Sequence, residues 1–433
     1  MRTSPRSSDR KSTTVANAPA TAADKGANGE IHGWYRSILG YPGQVVSNLL
    51  DEFVPSEKSV VLDPFCGAGT TLVECMKRGV KTIGIDASPA SCFVSRVKTT
   101  WSVDPCSLRG AINRVCESMP KWLRRNRILK SDPAYQYLQS AGMIARGWIS
   151  ESPLLKVLAI KTTIANLRAC GDEKNALRLA LLSELVYNAS NVKFGPELFC
   201  GPTKPDVDVL HGFRMRAEKM ADDLLQVAEL KSHQPNVILG DARQCDDALR
   251  AQGLNHITAV ICSPPYPAEH DYTRNGRLEL VLLEHVIDRE SLRLIKRRMI
   301  RSHTKGIFKG DNDGSAVQSF PVIRRLVNEI QKRVRTKTHG FAELYPTVVS
   351  EYFGGMARHL RALHSQLKPR SICAYVVGDQ ASYLQTHIHT ARILETIAKD
   401  SGYTSIGIRH LRSRWSTTTS RSIDENILLL RRT

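Results

Sequence analysis

Short apolar runs alternate with longer amphipathic stretches along this chain. Runs rich in Val, Ile and Leu predict seven β-strands, at 59–62, 82–85, 236–239, 257–261, 372–377, 404–408 and 426–430. Between them, stretches such as 174–188 and 213–230 repeat apolar residues at three and four positions, which predicts helices. Because strands that alternate with helices are typical of a parallel sheet covered on both faces, we predict a doubly wound α/β fold of seven strands.

The same pattern divides the chain into segments. Positions 1–30 are rich in Ser, Thr, Ala, Arg and Lys and nearly lack large apolar residues, so we predict a disordered tail. Two segments interrupt the alternation: a mostly helical insertion at 101–234 and a strongly basic region at 280–345. The sheet core is therefore expected in three pieces, 31–100, 235–279 and 346–433.

Charge points to a polyanionic partner. The chain has 61 Lys and Arg against 42 Asp and Glu, a formal net charge of +19, and such an excess favours contact with nucleic acid. The basic region is the candidate contact surface, although a solvated helical face would look the same. Its basic residues are Arg293, Lys296, Arg297, Arg298, Arg301, Lys305, Lys309, Arg324, Arg325, Lys332, Arg333, Arg335 and Lys337.

Cysteine usage and hydropathy exclude other classes. The ten cysteines form no C-x-x-C pair and have no histidines at zinc-finger spacing, so we predict neither a disulfide framework nor a metal site. No apolar run approaches the roughly 18 to 20 residues that span a bilayer. We therefore expect no membrane contact and a place in a reducing cytoplasm.

A glycine-rich turn follows the first predicted strand. The segment Asp63-Pro64-Phe65-Cys66-Gly67-Ala68-Gly69-Thr70-Thr71 leads into a predicted helix at 72–78, and glycines there let the backbone approach a ligand. Asp86 follows the next strand, where an acid is placed to hold ribose hydroxyls. Acids at strand ends also cap helices, so capping stays an alternative for Asp63 and Asp86.

This segment resembles the first motif of the amino-group DNA methyltransferases, which bind S-adenosylmethionine. The resemblance implies a Rossmann-like methyltransferase sheet. It also implies that Tyr41 and Pro42 contact the methionine end of the cofactor, and that Asp241 reaches the adenine amino group, with helix capping as the alternative for Asp241. The residues expected to bind the cofactor are Tyr41, Pro42, Asp63, Pro64, Phe65, Gly67, Gly69, Thr70, Thr71, Asp86 and Asp241.

The segment Ser263-Pro264-Pro265-Tyr266 resembles the family's Ser-Pro-Pro-Tyr motif. Prolines remove amide donors and fix φ, so the turn is stiff and leaves carbonyl oxygens free to accept hydrogen bonds. The exocyclic amino group of a base is a poor nucleophile because its lone pair is delocalised into the ring, and accepting its two N–H bonds localises that pair. We expect Ser263 and Pro264 to accept them from a flipped-out base on which Tyr266 stacks, ordinary packing being the alternative for Tyr266.

The choice of base follows from the same resemblance. The Ser form of this motif is associated with cytosine N4 and the Asp form with adenine N6, which favours cytosine N4 and keeps adenine N6 as the alternative. The segments 270–274 and 301–303, with Glu279, also look like the cytosine-N4 branch, although structural loop histidines would explain His270 and His303. Because many cytosine-N4 enzymes carry the two motifs in the reverse order, DNA contacts are assigned by charge and position alone. They are Arg274, Arg297, Arg298, Arg301, His303 and Lys305.

Other functions remain open. An RNA methyltransferase of the guanine-N2 type has similar motifs but usually an N-terminal RNA-binding domain, and here about 30 low-complexity residues come first. A cytosine-C5 enzyme needs a nucleophilic Cys in a Pro-Cys turn after the fourth strand, which this sequence lacks. A DNA-binding regulator that has lost catalysis is a third alternative. The resemblance implies double-stranded DNA as partner, a prokaryotic nucleoid location and a possible cognate restriction endonuclease, and leaves the oligomeric state and recognition sequence open.

Overall fold

The computed structural model describes residues 29–35, 40–54, 56, 58–194, 198–230, 232–254, 256–335, 341–416 and 421–433. Positions 1–28 of the predicted tail, and Lys337 of the basic region, lie outside them. Among the described residues, no helix is both long and apolar enough to cross a membrane.

The elements follow in three groups along the chain. The first comprises α1 (Gly29–His32), α2 (Gly43–Phe53), β1 (Val60–Asp63), α3 (Thr70–Lys77), β2 (Lys81–Asp86) and α4 (Pro89–Lys98). The second comprises α5 (Pro105–Leu123), α6 (Asn126–Lys130), α7 (Pro133–Ser140), α8 (Glu151–Ala165), α9 (Gly171–Glu184), β3 (Val192–Phe194), β4 (Leu198–Cys200) and α10 (Val209–Val227). The third comprises β5 (Asn236–Leu239), α11 (Cys245–Ala251), β6 (Ile257–Cys262), α12 (Tyr272–Asn275), α13 (Arg277–Leu282), α14 (Arg289–Arg298), α15 (Pro321–Val334), α16 (Tyr345–His364), β7 (Leu367–Gly378), α17 (Thr390–Asp400), β8 (Tyr403–Ser416) and β9 (Arg421–Arg432).

Seven strands form one sheet in the order β5-β2-β1-β6-β7-β9-β8. The first five are parallel, and β9 runs antiparallel to both of its neighbours. All seven predicted strands are confirmed, and the sheet is the Rossmann-like methyltransferase arrangement expected. Because β1 and β6 are adjacent and parallel, the loops that follow them leave the same edge of the sheet.

Both faces of the sheet are buried. Neighbouring residues of a strand point to opposite sides, so Ala259 and Ile261 of β6 join one core with residues of α2 and α3, while Val260 joins the other with residues of α16 and α17. Helices on both faces explain why these strands are apolar almost throughout rather than alternating.

The segment predicted as an insertion is helical, with its own core. Helices α5, α8, α9 and α10 pack together and against α4. The predicted helix at 174–188 is observed as α9 and a π-helical turn, Leu185–Ala189. The short hairpin of β3 and β4 was not predicted, because three-residue strands leave no clear apolar alternation. The division into core, insertion and basic region stays a prediction.

The last two strands are longer than predicted. Strand β9 pairs with β7 only as far as Glu425, whereas β8 and β9 continue together to Ser416 and Arg421. The extra part of β8 is rich in Arg and Ser, so its sequence lacks the apolar run that marks a strand. This extension brings charged side chains to the carboxyl end of β7, beside the loop after β6.

Candidate active site

The loop after β1 is a tight turn fixed to α4. Gly67 and Gly69 have φ angles of 49° and 80°, a left-handed conformation that glycine adopts without steric cost. The Ser95 hydroxyl donates to the Gly67 carbonyl at 2.7 Å, and a Cβ at Gly69 would lie 3.2 Å from the Ser95 Cα. At Gly67 a Cβ would meet only the Phe65 carbonyl, at 3.9 Å. Beside Gly67 the loop therefore has room for a ligand.

The buried Asp63 is hydrogen-bonded to residues around this loop. It is 1% exposed and accepts hydrogen bonds from the Thr71 hydroxyl at 2.6 Å, the Phe65 amide at 3.0 Å and the Tyr41 hydroxyl at 3.5 Å. Tyr41 and Thr71 are also hydrogen-bonded to each other. Burial raises the pKa of Asp63 to about 7. The predicted direct contact between Asp63 and the cofactor is corrected, because its carboxylate is enclosed by its own neighbours.

The other residues predicted to bind the cofactor follow Asp63 in sequence or lie at the starts of α2 and α3. Pro64 is buried, whereas Phe65 is half-buried with its ring centroid 4.9 Å from that of His359. Pro42 is the N-cap residue of α2, and Thr70 is the first residue of α3. The structure therefore gathers these positions near the carboxyl end of β1, and their roles stay proposals.

Asp86 joins the ends of β1 and β2. Its carboxylate accepts from the Gly67 amide at 2.9 Å and the Ser88 amide at 2.8 Å. Burial raises the pKa of this group. Each carboxylate oxygen has a second acceptor site, and the residue stays partly exposed beside the open space at Gly67. These features fit a ribose whose hydroxyls donate to Asp86, and thus fit S-adenosylmethionine.

Asp241 is engaged by its own neighbour. Both of its oxygens bind the Arg243 guanidinium, at distances from 2.6 to 3.1 Å, and Oδ1 also accepts from the Arg243 amide at 2.9 Å. Arg243 continues to Asp313 at 2.6 Å and to the Arg297 carbonyl at 2.7 Å. The capping alternative is thus observed. Arg243 engages both carboxylate oxygens of Asp241, and the contact of Asp241 with the cofactor's adenine stays a prediction.

The turn after β6 lies next to the loop after β1. Leu62 of β1 is paired with Val260 of β6, and the Thr71 hydroxyl lies 3.3 Å from the Ile261 carbonyl. Ser263 follows β6 directly and is partly exposed. The two predicted halves of the site therefore meet at one edge of the sheet.

The carbonyl groups of this turn differ in their partners. The Pro265 carbonyl accepts from the buried Tyr352 hydroxyl at 2.9 Å. In the part of the chain that the structure describes, no hydrogen bond reaches the Pro264 carbonyl. Ser263 Oγ lies 3.3 Å from the Tyr266 hydroxyl. The turn thus has an acceptor at Pro264 and a hydroxyl beside it at Ser263, and their contact with a base stays a prediction.

Tyr266 is oriented from three sides. Its hydroxyl donates to Glu425 at 2.9 Å, and its amide donates to the Tyr272 hydroxyl at 3.1 Å. A Cβ at Gly378 would lie 2.9 Å from the Tyr266 ring. Burial and the Glu425 carboxylate raise the pKa of Tyr266, so the phenol is neutral. One side of the Tyr266 ring is therefore packed against the protein, which is the alternative given for this residue. Stacking of a base on the other side stays a proposal.

Two of the predicted DNA contacts are buried. Arg301 is 4% exposed and forms two hydrogen bonds of 2.7 Å with Asp311. His303 is 6% exposed, and a Cβ at Gly306 would lie 2.8 Å from its ring. Burial lowers the pKa of His303 to about 4, so its ring is neutral. The prediction that Arg301 and His303 contact DNA is wrong because neither side chain reaches the surface.

The remaining predicted contacts differ in exposure. Arg297 and Lys305 are exposed, Arg298 is half-exposed, and Arg274 is partly buried and donates to the Leu198 carbonyl at 3.2 Å. The exposed basic residues of the described basic region are Arg289, Arg293, Arg297, Lys305, Lys309, Arg324, Arg325, Lys332 and Arg335.

The basic region contacts the segment that follows the turn after β6. Lys296 of α14 donates to Asp271 at 2.8 Å. The Glu269 amide donates to the Ser302 carbonyl at 3.0 Å, and the Ser302 hydroxyl donates to the His270 carbonyl at 3.1 Å. These contacts place the carboxyl end of α14 beside the segment that follows Tyr266.

Glu425 is the site residue that the sequence did not assign. It is 3% exposed and is held by Arg412 at 2.6 Å as well as by Tyr266. The acid directly precedes the apolar run of β9, and this position was a signal in the sequence. Its partner Tyr266, however, lies far away along the chain. Pairing of this kind becomes visible only in the folded chain.

The sequence of this chain is similar to those of known proteins. A family model described as DNA methylase matches residues 40–95, the stretch from Tyr41 through the glycine loop to Asp86 and α4. Over 439 aligned residues, the chain is 25% identical to the type II methyltransferase M.BsoBI of Geobacillus stearothermophilus, covering 93% of this chain and 84% of that protein. It is 23% identical to the type II methyltransferase M.AvaI of Nostoc sp., covering 86% and 78%. It is 38% identical over 79 residues to the type II methyltransferase M.MjaII of Methanocaldococcus jannaschii, covering 18% and 14%.

Four observations indicate the same class of protein: the sheet order, the glycine loop, the Ser-Pro-Pro-Tyr turn and the similarity to these relatives. These findings support the amino-group (N6/N4) DNA methyltransferase family for this chain. It is an enzyme that methylates DNA with S-adenosylmethionine as the methyl donor.

Proposed function

We propose that this enzyme methylates the N4 amino group of a flipped-out cytosine at a defined site in duplex DNA, as the modification half of a restriction-modification system. The observation that carries the proposal is the turn from Ser263 to Tyr266, which leaves β6 beside the loop after β1. The serine in its first position favours cytosine over adenine.

The loop after β1 would hold the cofactor. The backbone around Gly67 has open space beside it, and Asp86 offers oxygens to the ribose hydroxyls. Tyr41 and Pro42 lie at the start of α2, on the side proposed for the methionine end. S-adenosylmethionine supplies a methyl group on a sulfonium, which an amine attacks in line.

The turn after β6 would hold the amine. The Ser263 hydroxyl oxygen and the Pro264 carbonyl accept the two N–H bonds and thereby localise the nitrogen lone pair. Tyr266, fixed through Glu425 at 2.9 Å, presents its ring to the base. S-adenosylmethionine would supply the methyl group, and the Ser263 hydroxyl oxygen would accept the hydrogen bond of the proton that the nitrogen releases to solvent.

The basic region would hold the DNA backbone. Arg297 and Lys305 are exposed near the carboxyl end of α14, which Lys296 ties to Asp271 at 2.8 Å. Extracting a base from a duplex costs a few kcal/mol, and phosphate contacts together with stacking offset that cost.

The identity of the methylated nucleoside tests this function. The protein is incubated separately with mixed-sequence duplex DNA and total RNA in the presence of methyl-labelled S-adenosylmethionine, and the digests are analysed by mass spectrometry. We expect labelled N4-methylcytosine from DNA. Labelled N6-methyladenine would show that the target is adenine N6 and not cytosine N4. Label in RNA alone would overturn the proposal. Cofactor binding without any label would instead support a DNA-binding regulator.

A further inference from the structure

A cluster of two histidines and an acid lies beyond the residues used above. Asp379 follows β7 directly, and His387 and His389 precede α17. One ligand atom from each of the three lies within 4.8 Å of the other two. Asp379 Oδ2 is 3.1 Å from His389 Nδ1 and 3.6 Å from His387 Nε2.

We propose that Asp379, His387 and His389 bind one divalent transition-metal ion of the Zn²⁺ type. Imidazole nitrogen and carboxylate oxygen are ligands for such ions, with bonds of about 2.0 to 2.2 Å. Tetrahedral ligands at that distance lie roughly 3.3 to 3.6 Å apart. The separations of 3.1 and 3.6 Å between the acid and the two rings lie within about 0.2 Å of this spacing. The proposal is independent of which base the enzyme methylates.

The carboxylate of Asp379 is already oriented for metal binding. The Thr390 amide donates to Asp379 Oδ1 at 3.0 Å, which leaves Oδ2 directed at the two histidines. A second hydrogen-bonding partner that fixes a ligand is typical of metal sites. The acid side chain is 7% exposed while those of His387 and His389 are 45% and 55% exposed. An ion therefore has access from solvent and keeps an open position for water.

Ion pairing alone explains the cluster less well. The two imidazole rings have centroids 4.2 Å apart and face the same carboxylate oxygen. If both rings were protonated to pair with Asp379, two positive charges would stand side by side for one negative charge. Two neutral rings on one metal ion remove this repulsion.

The ion would close the base of a loop that joins two parts of the site. Gln380 and Ile388 pair as an antiparallel bridge, and between them the Tyr383 hydroxyl donates to the Ser302 carbonyl at 2.9 Å. The residue before Asp379, Gly378, packs against the Tyr266 ring. Metal binding would therefore brace the segment between the catalytic turn and the basic region.

Metal titration of the full chain tests the proposal. Protein without a polyhistidine tag is treated with a chelator, and Co²⁺ binding is followed by absorption, with Zn²⁺ in competition. We expect one equivalent of Co²⁺ with visible bands of a nitrogen and oxygen site and without the near-ultraviolet bands of cobalt thiolate. Thiolate bands would assign binding to cysteines and overturn the proposal, as would the absence of stoichiometric binding.

Matched variants locate the ion. The double variant His387→Gln, His389→Gln should bind Co²⁺ at least about 10-fold more weakly, whereas His211→Gln, His233→Gln, at two exposed histidines elsewhere, should bind like the unmodified protein. Zn²⁺ should raise the unfolding temperature of the unmodified protein and of the control, but not of the ligand variant. Unchanged affinity in the ligand variant would contradict the proposal. Metal-free unfolding temperatures show whether each variant folds.

Discussion

The Tyr266 hydroxyl donates a hydrogen bond of 2.9 Å to Glu425, which joins the turn after β6 to the last strand of the sheet. Glu425 is itself fixed by Arg412 at 2.6 Å. The extended hairpin of β8 and β9 thereby orients the aromatic ring of the turn after β6. A position about 160 residues away in sequence acts on the site because β7 and β9 are neighbours.

Tyr266→Phe tests whether the hydroxyl only orients the ring. We expect the single-turnover methylation rate to fall about 3- to 10-fold, which corresponds to the loss of one ordinary hydrogen bond of about 1 kcal/mol. The methylation rate of Tyr266→Ala, which also lacks the ring, should fall much further. Equal losses in the two variants would show that the hydroxyl takes part in the chemistry and that the ring does not stack.

Ser263→Ala removes one of the two acceptors proposed for the amino group. We expect kcat to fall by about 100-fold, the effect typical of losing one such polar group in a transition state, with unchanged affinity for S-adenosylmethionine. Ser365→Ala, at an exposed serine after α16, serves as control. Equal loss of turnover and cofactor binding in Ser263→Ala would contradict the role assigned to Ser263.

Reversing charge at Arg297 and Lys305 tests the DNA surface. The double variant Arg297→Glu, Lys305→Glu should bind DNA more weakly. Its plot of log affinity against log salt should also be flatter, by nearly one for each phosphate that the variant no longer neutralises. Arg168→Glu, Arg178→Glu makes the same charge change on exposed residues of the helical insertion and should keep the slope. Equal slopes in the two double variants would remove α14 from the interface.

Substitution of Arg301 should affect stability and not DNA binding. Because its guanidinium is buried against Asp311 at 2.7 Å, Arg301→Gln should lower the free energy of unfolding by about 3 to 5 kcal/mol. Arg297→Gln, on the surface, should change it by about 0.5 kcal/mol or less. Denaturant unfolding measures both. A stable Arg301→Gln variant with weakened DNA binding would restore the original assignment.

The sequence revealed whatever depended on local pattern. All seven strands were visible because a buried parallel strand is apolar almost throughout. The glycine loop and the Ser263 turn were visible because backbone conformation restricts the residues allowed there. Their meeting at one edge followed from the direction of parallel strands.

Pairing between distant side chains was not visible. Arg301 looked like one more surface cation because charge along a sequence does not show that Asp311 covers it. The contact of Asp241 with Arg243 was not visible because the arginine side chain has to fold back to reach its neighbour. The outer part of β8 and β9 lacks an apolar run and is held by pairing with its partner strand. Each error concerns a partner that only the folded chain supplies.

The buried Asp63 predicts a pH dependence of stability. Its pKa is raised from 3.8 to about 7 by burial, so the folded state holds a proton that the unfolded state releases. This contribution to stability is full below pH 4 and is lost as the pH rises through about 7, by up to about 4 kcal/mol. Asp63→Asn should flatten the free energy of unfolding between pH 4 and 7, whereas Asp400→Asn, on the surface, should follow the unmodified protein. Parallel curves for all three proteins would exclude this role for Asp63.

The central claim is that the methyl donor held after β1 faces an amino group held after β6. A crystal structure of the enzyme with S-adenosylhomocysteine and its target duplex tests this most directly. We predict that the cofactor sulfur points across one cleft toward Ser263, with the flipped base between them and its amino group on the Pro264 carbonyl. A cofactor and an extracted base at different edges of the sheet would contradict the account.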